Sequence, residues 1–162
     1  MGPKDAIKQS LDMSDFILKC YVDDLADADL RLMPVEGMHP IALQLGHLIQ
    51  VEHAIVEMVK PGASPKLPGG FKEAHDIKNK ELTDAGFLTK DMYMELYVAQ
   101  RAATLAVLNE TPDSDLGDTR NGTLPQWAST VGAALQVTGL HSLNHSGQFV
   151  AVRRSLKKPI AF

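Results

Sequence analysis

Two histidines, His141 and His145, stand four residues apart in a segment whose apolar residues recur at helical spacing. Four residues turn an α-helix through about 400°, so both rings leave one face and can reach a single metal ion. Their stripe runs through Ala134 and Val137, then Gln148, Phe149, Val152 and Leu156, which predicts a face turned towards the core. A third histidine, His47, lies between Leu43 and Val51 on the stripe of another helical segment. An imidazole buried without a partner costs roughly 1–3 kcal/mol. A shared divalent ion removes that cost, because neutral imidazole nitrogen binds Zn, Ni, Fe or Cu. The alternative is that each ring is satisfied separately by a carbonyl or hydroxyl. The joint placement of three favours the metal.

Three protein ligands leave a coordination position open, as in catalytic zinc sites. A bound water then becomes a nucleophile near neutral pH, or the ion holds a thiolate. A zincin protease is excluded, since Ser142 stands where the HExxH motif needs its glutamate. Gln148, three residues beyond His145, suits a supporting hydrogen bond to a metal-bound species and equally a helix–helix hydrogen bond. His39, His53 and His75 are expected at the surface. Cys20 is the only cysteine, so internal disulfides and Cys-based zinc sites are excluded, and it is expected as a small core residue.

The elements that must position these rings are helical, with no sustained alternation. Residues 4–26 place Ile7, Leu11, Leu18, Val22 and Leu25 on one face. Pro34, Gly37 and Pro40 make a connection. A second helix over 40–60 carries Leu43, His47, Val51, Ala54, Ile55 and Met58 on one stripe and stops at Lys60-Pro61-Gly62. Residues 61–70 form a loop, residues 71–82 suit a short helix, and Ala85-Gly86-Phe87 breaks it. Thr89 caps a third long helix to about Asn109, with Met92, Leu96, Ala99, Ala103 and Ala106 inward. After a polar loop over 111–122, a last helix runs from Thr123 or Leu124, with Pro125 in its first turn, to about Lys157. Gly132 and Gly139 within it imply close backbone packing or a bend. Four long helices predict an all-α, antiparallel four-helix bundle in one domain over 1–162, with room for one longer crossover.

The net charge of −4 argues against a nucleic-acid partner. The basic cluster Arg153, Arg154, Lys157 and Lys158 is read as complementing a helix C-terminus. No apolar run reaches the roughly 18 residues a membrane helix needs, and the N-terminus has no signal-like apolar region, so the cytoplasm is expected.

Leu45-Gly46-His47-Leu48-Ile49 with Glu52, followed by His141-x-x-x-His145-x-Gly147-Gln148 with Arg153, resembles the DinB/YfiT-like bundle superfamily. The resemblance covers nearly the whole chain. It implies an up-down-down-up bundle, often a homodimer, with a divalent metal on His47, His141 and His145. It also implies a transferase or isomerase acting on a small-molecule substrate with a low-molecular-weight thiol. The expected function is thus a thiol S-transferase or related hydrolase or isomerase, with zinc or nickel as the ion and substrate entering near 61–70 or 111–122. The alternative is a non-catalytic metal-binding stress-response or interaction bundle.

Overall fold

A computed structural model describes residues 2–78 and 84–160. Its helices are α1 (Pro3–Val22), α2 (Ile41–Val59), α3 (Phe71–Ala74), α4 (Lys90–Glu110) and α5 (Val131–Ser155), and no strand occurs among the described residues. Side-chain partners give the helix directions. Ile7 lies beside Gly132, Ser10 beside Gly139, and Tyr21 beside Arg153, so α1 and α5 run parallel. Lys4 reaches the carbonyls of Asn109 and Thr111 while Lys90 reaches that of Asp23, so α4 runs against α1. Glu52 meets Arg101 and Lys60 meets Glu110, which makes α2 parallel to α4. Gln44 meets His145, and the His47 and His141 rings are 5.0 Å apart, so α2 runs against α5. The bundle is up-down-down-up, with α1 and α2 on one diagonal and α4 and α5 on the other.

This topology explains the long connection before α4. Parallel neighbours need a chain that returns to the starting end, and a helix the length of α2 spans about 28 Å. The return carries α3 and is pinned by His75, which the sequence placed at the surface and the structure buries completely. Its Nδ1 donates to the Phe71 carbonyl (2.7 Å) and its Nε2 accepts from the Tyr93 hydroxyl (2.6 Å). The ring sits directly against Gly46, where a β-carbon would overlap it. The short helix expected over 71–82 is the single turn of α3; residues 79–83 lie outside the described residues. Gly86, in the expected break, adopts φ 90°.

Helix ends depart from the spacing. The first helix stops at Val22, although Leu25 is still buried. Thr89 caps α4 as expected, accepting from the Met92 N–H. The inward face of α4 is different: Met92 is exposed, and Tyr93, Tyr97, Gln100, Arg101, Thr104, Val107 and Leu108 are buried. Two tyrosines offer more apolar area than the alanine stripe, and the polar members find partners inside. The last helix begins at Val131, with the Thr130 side chain accepting from the Ala133 N–H. Pro125 instead precedes a separate 3₁₀ turn, Gln126–Ala128. Gly132 and Gly139 do allow close approach, since a β-carbon at either would lie 3.2 Å from the carbonyl oxygen of Leu116 or Ser10.

Arg153 goes beyond complementing the end of α5. It is buried, donates to the Tyr21 and Pro159 carbonyls, and pairs with Asp24 at 2.5 Å. Lys158 donates to the Asp24 carbonyl, so the cluster ties α5 to the end of α1. Cys20 is half-buried. No helix of the described residues is long and apolar enough to cross a membrane.

Candidate metal centre

The facing stripes of α2 and α5 bring His47, His141 and His145 together, each offering a ring nitrogen within 4.8 Å of the others. Among the described residues no other trio of His, Cys, Asp or Glu converges in this way. His145 is buried, whereas His47 and His141 are half-buried. The stripes therefore run along the edge of the core rather than through it. Val51 and Val137 share that half-buried position, and Ala54 and Leu140 are exposed.

The protons on His145 are set by its neighbours. The Gln44 side-chain amide donates to the His39 carbonyl (2.7 Å), which leaves its oxygen to accept from His145 Nδ1 (2.7 Å). His145 Nε2 consequently carries a lone pair, and it faces His141 Nε2 at 3.1 Å. Two nitrogens bound tetrahedrally to one zinc ion lie about 3.4 Å apart. The pair is thus close to ligand spacing. His47 Nδ1 is buried with no hydrogen-bond partner among the described residues. An unpaired buried nitrogen beside a matched pair fits a metal ion well.

Electrostatics keep the rings neutral. Burial lowers the pKa of His47 to about 4 and of His145 to about 3, with the mutual repulsion of the charged forms adding to it. Burial also lowers that of His141. Lone pairs are therefore available at neutral pH without displacing protons from imidazolium.

A model of the DinB superfamily matches residues 18–149. The chain belongs to the DinB superfamily. The match spans α2 and α4 entirely and includes all three histidines. No curated protein and no solved structure matches the chain.

In this DinB-superfamily chain the cluster opens on a pocket of about 470 Å³ lined by His47, Val51, Ile55, Trp127, Val137, Leu140, His141 and Asn144. The opening lies between α2 and α5 beside the 3₁₀ turn bearing Trp127. None of residues 61–70 or 111–122, where substrate entry is expected, lines this pocket. Gln148 is exposed and lines a different depression with Val35, Met38 and Arg154. The amide that supports a histidine is Gln44, which the sequence reading missed. Its position three residues before His47, on the same side of α2, was the available signal. His39 and His53 are half-buried rather than exposed.

Proposed function

We propose that this DinB-superfamily protein is a metal-dependent enzyme holding one divalent ion, zinc or nickel, on His47, His141 and His145, and that it transfers a low-molecular-weight thiol to a small electrophile. The observation that carries the metal is the fit: three neutral imidazoles within 4.8 Å, one with its outer nitrogen fixed by Gln44 and one with a buried unpaired nitrogen. When bound, the ion supplies Lewis acidity that lowers the pKa of a thiol or water at an open position.

The chain's own residues favour sulfur transfer over hydrolysis. Besides the histidines, Asn144 is the one polar residue lining the pocket, and an amide neither takes nor gives a proton at neutral pH. Among the described residues no carboxylate stands there as general base. A thiol, with an ordinary pKa near 8.5, needs far less help to ionise than water. In the transfer the thiol proton goes to solvent, sulfur bonds to the electrophilic carbon, and the leaving group departs with its bonding pair. Gln44 holds His145 in one orientation, and the aliphatic walls keep competing water away. A non-catalytic role calls for a fourth protein ligand, and only three converge among the described residues.

Elemental analysis of tag-free wild type and His141→Ala tests the metal. About one ion per chain in the first and none in the second is expected. Turnover of a thiol and electrophile panel then tests the reaction, and rates no higher than those of free metal ion would remove the enzymatic reading.

A further inference from the structure

The antiparallel pairing of α2 and α5 gives the pocket a graded lining. His47 faces His141. One helical turn farther along each strand of this pairing, Val51 and Val137 form the next layer, followed by Ile55 and the Trp127 indole. Polar atoms therefore gather at the histidine end, with Asn144, and the remainder is aliphatic or aromatic. Among the described residues no Lys, Arg, Asp or Glu lines it. An anion therefore finds no cationic side chain to pair with among the described lining residues and loses its hydration. Trp127, the chain's only tryptophan, is 66% exposed despite its large apolar surface. It stands as an incomplete wall that a flat molecule would complete. The volume falls in the range of small-molecule pockets.

We infer that this pocket binds small, uncharged aromatic molecules, stacked on Trp127 and Val51, with their polar end towards the histidines. The inference deepens the proposed function by naming the class of its electrophilic substrate, and it takes its catalytic meaning from that reading. Binding itself needs only the chain, so the two readings fail separately. In metal-free protein the lining offers a carboxylate of the same size no counter-charge.

A matched pair of quenchers tests this on the full chain, with Trp127 as the only tryptophan reporter. The uncharged p-nitrobenzyl alcohol is titrated against p-nitrobenzoate, on chelator-treated protein and again after zinc addition. Saturable quenching by the alcohol is expected in both preparations, at least tenfold tighter than by the carboxylate in the metal-free one. Leu140→Asp places a charge on a half-exposed wall position and should weaken the alcohol at least tenfold, while circular dichroism confirms an unchanged helical content. Linear quenching, equal affinity for the two probes in metal-free protein, or undiminished binding in folded Leu140→Asp would overturn the inference. So would a concentration-dependent blue shift of Trp127 without probe, which marks the pocket as covered by a second copy of the chain. Loss of zinc uptake with probe binding intact would count against the metal reading alone.

Discussion

Two polar clusters lie inside the same bundle, and both take a residue from α2. One is the histidine trio. The other is built on Glu52, whose carboxylate pairs with Arg101 (3.0 Å) and accepts from the Thr104 hydroxyl (2.5 Å). Arg101 also donates to the Tyr97 and Ser142 hydroxyls, each at 3.2 Å, joining α2, α4 and α5. Both side chains of that pair are at most 5% exposed. The histidine trio instead borders a pocket, and its members carry no charge. Burial, with a smaller push from Asp15, raises the Glu52 pKa while Arg101 and Thr104 oppose it, so that cluster is held by its internal pairing. The histidines have no ion-pair partner of this kind, Asp76 opposing burial at His47 only as the smallest influence, and their lone pairs are left for a ligand. A closed, mutually paired cluster fastens helices; an open, neutral one is built to receive.

The strongest way to break this contrast is Arg101→Met. Glu52 is left buried without its cation, and a loss of about 3–5 kcal/mol is expected in urea unfolding. Adding Glu52→Gln should recover part of it. Metal uptake in the folded fraction should persist, and equal damage to both clusters would merge them into one unit.

Gln44→Leu probes the open cluster from behind. Losing the acceptor for His145 Nδ1 should weaken zinc binding about tenfold to a hundredfold in competition with a chelating dye. Unchanged affinity would remove Gln44 from the site.

Acid gives a smaller effect with a definite sign. The unfolded histidines protonate near 6.5, whereas His47 and His145 in the folded chain resist protons down to about 4 and 3. Between those limits the unfolded chain binds more protons, so metal-free stability should fall as pH drops from about 6.5 to 4 and stay level in histidine terms above 7. His47→Ala should flatten that decline.

The smallest change is expected for His141→Ala in metal-free protein. No charge is stranded, and unfolding free energy should stay within about 1 kcal/mol of wild type. A loss as large as that of Arg101→Met would make His141 a fastening residue.

The sequence shows the site more fully than it shows the packing around it. The spacing of His141 and His145 and the stripe through His47 need only helical periodicity, and the bundle follows from the same periodicity with its turn residues. The inward face of α4 does not. Its buried Arg101, Gln100 and Thr104 look like solvent residues until Glu52, Ser142 and Ser64 are placed opposite them. His75 likewise gives no local sign of burial, because its partners Tyr93 and Gly46 come from other elements. The start of the last helix is misplaced at Thr123 or Leu124 instead of Val131, leaving Trp127 in a separate 3₁₀ turn, since Pro125 suits the first turn of a helix and the lead-in to a 3₁₀ turn alike.

Gln44 and His145 are 101 residues apart in the chain, and His47 likewise meets the His141 and His145 rings of that distant helix. Closing so long a loop is entropically expensive and comes late in folding. A nascent chain holding only α2 has one ligand, and a detached α5 has only the His141–His145 pair. Tight metal capture thus becomes a timestamp for completed topology: zinc added during refolding should be taken up in step with the slowest phase, never ahead of it.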